Sequence, residues 1–363
     1  MSKPGEKTQS GDWAARVQPL ASKEAVTSRS LWFSGPRTIE MREKTVRPPE
    51  PGEVRIRALC SSISHGTEML IYRGEVAADL PLDLTLPSME GSFAFPIKYG
   101  YANVGRIIQP GSRVEGFVEG DLVFAFNPHE TDCTIPARFV VKMPDKITPR
   151  KGIFLANVET AINVLLDAAP RIGERVVVLG QGTVGLLITQ LCRIAGAGLI
   201  ATCDPFEKRR KLSSALGADI VIDPEAESTS ARIREATDGE GADVVIESSG
   251  RPEALDEAIR ATAREGRVVV VSWYGAKRAT LALGEDFHRN RITIKSSQVS
   301  NLDPCLAPRW TLERRQELAL RYLNELRLEE LITHTFSFED AAAAYRLIDE
   351  RPEETVQVLL GYD

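Results

Sequence analysis

Arg175-Val-Val-Val-Leu-Gly-Gln-Gly-Thr-Val-Gly185 begins the stretch that decides the fold, and Gly198-Leu-Ile-Ala-Thr-Cys-Asp204 closes it. Four β-favouring residues, Val176 to Leu179, run straight into Gly180, Gly182 and Gly185. Val184, Leu187, Ile188, Leu191, Ile194 and Ala195 then recur at helical spacing. A second apolar strand ends on Asp204, 19 residues past the last glycine. Strand, glycine turn, helix, strand and carboxylate together make the context a dinucleotide fingerprint requires.

Each part has a physical reason. Gly180 allows the tight turn, Gly182 lets a pyrophosphate approach the backbone, and Gly185 lets the helix pack close to its strand. The free N–H groups and dipole at the helix start favour phosphate charge. The loop residues Gly180, Gln181, Gly182, Thr183, Val184 and Gly185 are therefore expected to hold the cofactor. Asp204 stands where a carboxylate accepts the ribose hydroxyls of an adenosine and repels a 2′-phosphate, which predicts NAD over NADP. Arg209 and Arg210 follow closely, within reach of a 2′-phosphate if the loop folds back.

The chain has 363 residues, enough for two domains and a large core. Its net charge of −6 argues against a nucleic-acid partner, which needs a basic face. No apolar run approaches the roughly 20 residues that span a bilayer. The polar N-terminus lacks a signal-peptide core, so the expected location is the cytoplasm. Cys60, Cys133, Cys192, Cys203 and Cys305 are scattered without a CxxC pair, which suggests neither a disulfide framework nor a zinc knuckle.

Residues 1–25 are polar and without period, and read as a flexible extension. From 26 to about 155, short strand candidates (Glu53–Ala58, Gly100–Gln109, Asp121–Asn127) are broken by Gly and Pro, as in a β-rich domain. From 156 to 298, apolar strands alternate with helices; after Asp204 the strands are 219–222, 243–246, 267–271 and 291–294. That pattern implies a parallel sheet covered on both faces, an α/β fold. Residues 299–363 carry two amphipathic helices, Leu312–Glu325 and Glu339–Asp349, and a strand at Thr355–Leu360.

This order resembles the medium-chain dehydrogenase/reductase superfamily, the zinc-type alcohol dehydrogenases and their relatives, over nearly all of residues 28–363. The resemblance is also carried by Gly241-Ala-Asp-Val-Val-Ile-Glu-Ser-Ser-Gly250, by Gly266-Arg-Val-Val-Val-Val-Ser-Trp-Tyr-Gly275 and by the run Thr333 to Tyr345. Ser64-His-Gly-Thr-Glu68 with Lys98-Tyr-Gly-Tyr-Ala102 is similar to the branch that includes bacteriochlorophyllide-type dehydrogenases, a mixed group that names no substrate. The resemblance implies a GroES-like β-rich catalytic domain, a doubly wound Rossmann domain, a C-terminal return to the first domain, and a homodimer or homotetramer.

The departures matter most. At the family's first metal-ligand Cys this chain has His65, ahead of Gly66-Thr67-Glu68. At the second, a Gly-His-Glu run, it has Gly100-Tyr101-Ala102. The segment of the third, Leu155 to Ala161, holds no Cys, and Glu159 is out of register. A catalytic zinc needs three protein ligands, so a zinc-free member is expected; a site from His65, Glu68 and Glu159 is the weaker alternative.

Without zinc, the substrate oxygen needs hydrogen-bond donors and a base that titrates near the operating pH. His65 suits the base, because imidazole titrates near neutrality. Thr67 matches the family's relay hydroxyl, and Tyr101 points a phenol into the same cavity. Glu68 is a candidate orienter of His65. The bland alternatives are a loop cap for His65, a turn for Thr67, a volume filler for Tyr101 and a structural acid for Glu68. Thr160, Ser249 and Trp273 are candidate cofactor contacts. His129, in Asn127-Pro-His-Glu130, lines the cleft or sits on a surface loop. Arg309 beside Trp310 is a candidate receiver for an anionic or planar substrate. The functional expectation is an NAD(H)-dependent oxidoreductase for a secondary alcohol or ketone. The alternatives are an NADPH-dependent quinone or enoyl reductase, and a non-catalytic nucleotide binder.

Overall fold

The computed structural model describes residues 24–82 and 91–362. The expected N-terminal extension lies outside the described residues except for its last two positions. Among the described residues no helix is long and apolar enough to cross a membrane.

One sheet is parallel, with six strands in the spatial order Ile220–Ile222, Leu199–Cys203, Arg175–Leu179, Ala242–Glu247, Thr262–Val270 and Thr293–Ser296. The order reverses beside Arg175–Leu179, which is the doubly wound Rossmann arrangement and its ligand-binding switch point. Register sets what meets there. Leu179 is level with Cys203 on one side and Glu247 on the other. The next residues, Gly180, Asp204 and Ser248, therefore emerge side by side at the carboxyl edge.

The second sheet has seven strands and is mostly antiparallel. Glu53–Ile63 lies at its centre, between Asn103–Pro110 and the C-terminal strand Gln357–Gly361. Val358 pairs with Ile63 and Gly361 with Cys60, so the end of the chain returns to the first lobe. The fold is thus α/β, a GroES-like β-rich unit joined to a Rossmann unit. A single apolar cluster runs through both, with Phe124 and Ala102 on one side, Leu187 and Leu191 on the other, and Phe154 and Ile162 between.

Several boundaries differ from the sequence reading. The strand expected to stop at Ala58 continues to Ile63, because Ser61 and Ser62 are as buried as the apolar residues around them. Their hydroxyls hide the strand from a hydropathy pattern. The strand expected from Gly100 begins at Asn103; Gly100 has φ +136, outside the range of a side-chain-bearing strand residue. The last parallel strand moves two residues on, behind Arg291 with φ +54. Helix Leu312–Glu325 forms as expected, with Thr311 accepting from the Arg314 N–H as its cap.

Candidate active site

The glycine loop is explained by what a methyl group would strike. A Cβ on Gly185 would lie 1.9 Å from the Gly180 carbonyl oxygen, and one on Gly180 would lie 2.5 Å from Ser249 Cα. A Cβ on Gly182 would meet nothing within 4 Å. Two glycines therefore serve close packing, and the third faces open space at the start of helix Thr183–Ile194. The side chains between them face inward. Gln181 is fully buried and donates to the Val178 and Gly180 carbonyls, while its oxygen accepts from Thr189. Thr183 donates to the Val356 carbonyl and to Gln357, tying the loop to the returning strand. Val184 packs on the core. What the loop presents outward is main chain.

Asp204 is buried, with one oxygen accepting the Gln181 N–H and the other the Phe206 N–H. Arg209 lies 3.8 Å away, but its guanidinium donates to the Pro352 and Thr355 carbonyls. Arg210 donates to the carbonyls of Asp204 and Pro205 and pairs with Asp223. A residue the sequence reading missed is Glu247, fully buried at the end of its strand. It accepts from the Ser249 N–H and hydroxyl and from the Tyr274 phenol, and so holds the loop that roofs Gly180. Trp273, 40% exposed, rests its ring 5.5 Å from Phe93 of the other unit. The Thr160 hydroxyl bonds back to Ala156 within its own helix.

The second cluster is made of hydroxyls. The Tyr101 phenol donates to Ser64 Oγ at 2.8 Å, and the Thr67 N–H donates to the same oxygen at 3.3 Å. The Thr67 side chain also reaches the phenol, and burial pushes Tyr101 up to about 12. Ser64 enters the sequence reading only as the first residue of Ser64-His-Gly-Thr-Glu68, with no role of its own.

His65 keeps some exposed surface, but its Nε2 is buried without a hydrogen-bond partner. Burial pushes its imidazole down to about 3, aided by the charges of Arg209, Arg73 and His334. The expectation that it titrates near neutrality is therefore corrected: with its ring largely desolvated and cations nearby, it is neutral at ordinary pH.

Glu68 does not orient His65. One of its oxygens accepts the Ser64 N–H at 2.9 Å; the other meets His129 Nε2 at 2.8 Å and accepts from the Tyr345 phenol. His129 is fully buried, so neither the surface loop nor the cleft lining describes it. Glu159 faces Arg315 and Gln316 of helix Leu312–Glu325. Burial raises it to about 7 against the pull of both partners. Trp310 is covered by Arg314, 4.4 Å from its ring centroid, and Arg309 is exposed. Trp310 and Arg314 line a surface groove of about 410 Å³ that shares no residue with the glycine loop or the hydroxyl cluster. Among the described residues, no group of three or more His, Cys, Asp and Glu is placed to hold a metal.

A family model described as zinc-binding dehydrogenase matches residues 183–311. The D-guloside 3-dehydrogenase of Escherichia coli K12 is 28% identical over 349 residues, 91% of this chain and 99% of that protein. The L-threonine 3-dehydrogenase of Pyrococcus abyssi is 28% identical over 342 residues, 85% of this chain and 91% of that protein. A solved alcohol dehydrogenase (rspB) of Escherichia coli CFT073, complexed with NADH, aligns with a TM-score of 0.75 at 20% identity. It covers 92% of this chain and 99% of that one, and at that identity the likeness speaks for the fold alone. With the strand order and glycine loop already described, the chain is similar over most of its length to zinc-type alcohol dehydrogenase-like proteins of the medium-chain dehydrogenase/reductase superfamily, and the relatives it matches are named as dehydrogenases.

Proposed function

We propose that this chain transfers hydride between NAD(H) and a secondary alcohol or its ketone, without a catalytic zinc. The observation that carries the reading is the Tyr101–Ser64 hydrogen bond, at the position where the resemblance puts a metal ligand. Both full-length relatives are named as 3-dehydrogenases, of a guloside and of threonine, and the hydroxyl at each carbon 3 is secondary.

The donor set does not fit zinc. The positions implied by the resemblance offer one imidazole, one phenol held protonated, and a glutamate that faces Arg315. A catalytic zinc takes three protein ligands. The substrate oxygen is left to hydrogen-bonding groups.

The loop fits a dinucleotide. Open space over Gly182 and the first N–H groups of Thr183–Ile194 suit a pyrophosphate. Each Asp204 oxygen has accepted one main-chain N–H and keeps lone-pair capacity for a ribose hydroxyl. Arg209 and Arg210 are engaged on carbonyls and Asp223, which supports NAD over NADP. The bound nicotinamide supplies the hydride acceptor or donor. Ser249 and Trp273 border its site from the carboxyl edge of the sheet.

In the direction of ketone reduction, Tyr101 donates its proton to the oxygen becoming an alkoxide. The alkoxide that forms on the substrate is a stronger base than the phenolate of a phenol near 12, so the proton passes to the substrate. Ser64, which accepts from the phenol at rest, and Thr67 orient it, and the proton given up is replaced from solvent. His65 acts as a neutral imidazole, its Nε2 open to a hydrogen bond from substrate or cofactor. Alcohol oxidation reverses these moves.

The partners proposed are a small-molecule substrate and further copies of this chain, with neither nucleic acid nor membrane. Thr293–Ser296 is an edge strand whose outer main-chain groups suit pairing in a homodimer or homotetramer. All five cysteines are free, which fits a reducing cytoplasm.

The test combines elemental analysis, NADH and NADPH titration by fluorescence, and turnover of secondary alcohols by wild type and Tyr101→Phe. Less than stoichiometric zinc, tighter NADH and a Tyr101→Phe loss of about 100-fold or more are expected. One zinc per chain, or full turnover in Tyr101→Phe, overturns the mechanism. Tighter NADPH puts the quinone or enoyl reductase reading first. NADH binding without turnover of any alcohol or ketone leaves the binder reading standing.

A further inference from the structure

The residues behind the hydroxyl cluster form a closed network that the proposed chemistry does not use. Glu68, His129, Ser61 and Tyr345 are fully buried, and Tyr362 nearly so. One proton arrangement satisfies all of them. Tyr362 donates to Ser61 Oγ at 2.8 Å, and Ser61 donates to His129 Nδ1 at 2.7 Å. His129 Nε2–H and the Tyr345 phenol then donate to one Glu68 oxygen, and the Ser64 N–H donates to the other. A proton on both imidazole nitrogens would make Ser61 an acceptor from His129 and leave the hydrogen of either Ser61 or Tyr362 without an acceptor among these groups. Burial beside Glu68 raises the Tyr345 phenol, which keeps it a donor.

Two ends of this network reach the chain segments that carry the hydroxyl cluster. Glu68 holds the Ser64 main chain. The His129 ring lies against Gly100, the residue before Tyr101: a Cβ on Gly100 would sit 2.9 Å from His129 Cδ2 and 3.0 Å from Nε2. The His129 loop is clamped to the same run a second time, since Glu130 meets Lys98 at 3.3 Å. The chain segments that carry Ser64 and Tyr101 are thus both referenced to one buried pair.

We propose that the His129–Glu68 pair is the positioning device of the hydroxyl cluster, setting the Ser64–Tyr101 hydrogen bond through Glu68 on one side and through the ring packed on Gly100 on the other. The inference rests on the reading of Tyr101 as the group that handles the substrate proton. The pair acts through other residues. Glu68 reaches Ser64 by a main-chain N–H, so no hydroxyl chain runs from Tyr101 to the carboxylate, and Glu68 receives no substrate proton. Such placement governs rate steeply, because a displacement of about 1 Å can cost about 100-fold.

The test reads position and rate separately. The chain is labelled with 3-fluorotyrosine, the Tyr101 ¹⁹F resonance is assigned with Tyr101→Phe, and turnover is followed with 2,3-butanediol and NAD. In His129→Phe, which keeps a ring against Gly100 but loses both hydrogen bonds, and in Glu68→Gln, the Tyr101 resonance is expected to shift or broaden. The turnover number falls about 10- to 100-fold while NADH affinity holds within about twofold. If those variants fail to fold, Tyr345→Phe removes one donor at constant ring volume and Gly100→Ala presses on the ring; both should move the same resonance. An unmoved Tyr101 resonance in folded His129→Phe or Tyr345→Phe overturns the inference. The two readings fail separately: full turnover in Tyr101→Phe sinks the catalytic reading, whereas the resonance reports positioning with or without turnover.

Discussion

The glycine loop presents main chain outward, and the hydroxyl cluster is built from side chains. The loop is one contiguous run, and its Gln181 and Thr183 side chains are spent on scaffolding. The cluster draws Ser64 and Thr67 from one segment and Tyr101 from another, 37 residues from Ser64, and it is backed by His129 and Tyr345. A main-chain site needs residues that lack something, namely a Cβ. A side-chain site needs particular groups delivered from afar, so its accuracy is only as good as the packing behind it.

The sharpest way to break that comparison is to add one methyl group. Gly185→Ala places a Cβ 1.9 Å from the Gly180 carbonyl oxygen. It should cost about 3 kcal/mol or more of stability and abolish NADH binding, as read by thermal unfolding and fluorescence titration. A Gly185→Ala protein that binds NADH normally would mean that the loop does not rely on close packing.

Next comes Tyr101→Phe. It keeps the ring and removes the donor to Ser64, so turnover should fall by about 100- to 1,000-fold with NADH affinity unchanged. A parallel loss of NADH affinity would show that the two sites are one.

Asp204→Asn bears on the buried carboxylate that accepts the loop's Gln181 N–H. One main-chain N–H loses its acceptor, and the repulsion of a 2′-phosphate goes. NADH binding should weaken about 10-fold and the preference over NADPH should relax. Retained discrimination would assign cofactor choice to other residues.

The pH dependence of stability involves two groups that oppose each other. His65 has its folded value depressed to about 3 from an ordinary 6.5, so its neutral form is favoured in the fold. Its contribution is present above 6.5 and is lost as pH falls from 6.5 through about 3. Glu159 is raised from 4.5 to about 7, so its contribution is present below 4.5 and is lost as pH rises through 7. Glu159→Gln should therefore raise stability at pH 8 by about 1–3 kcal/mol and leave pH 4 almost unchanged, measured by denaturant unfolding at both values. An equal effect at both pH values would mean that Glu159 does not titrate between them.

The parallel sheet was legible because its evidence is local: β-branched runs, a glycine loop and an apolar stripe all fall within thirty residues. Strand Glu53–Ile63 was half legible, since Ser61 and Ser62 are buried by partners that a local pattern does not contain. Thr67 and Tyr101 were found as candidates and the structure brings them together, but Ser64, their shared partner, was not. Glu68 was found and its partner mistaken: nothing between residues 68 and 129 announces that they meet. Arg309 and Trp310 showed chemistry in sequence that the fold leaves on a different surface.

By itself the sequence determined the nucleotide-binding fold, the glycine turn and the acid that follows it, because those depend on spacing along one continuous segment and on the absence of side chains. Tertiary structure alone decided that His65 is neutral, that Glu159 faces helix Leu312–Glu325, and that Glu68 and His129 stand together behind the hydroxyl cluster. Burial and hydrogen-bond partnership across sixty to three hundred residues of chain are properties of the packed molecule, and no single segment encodes them.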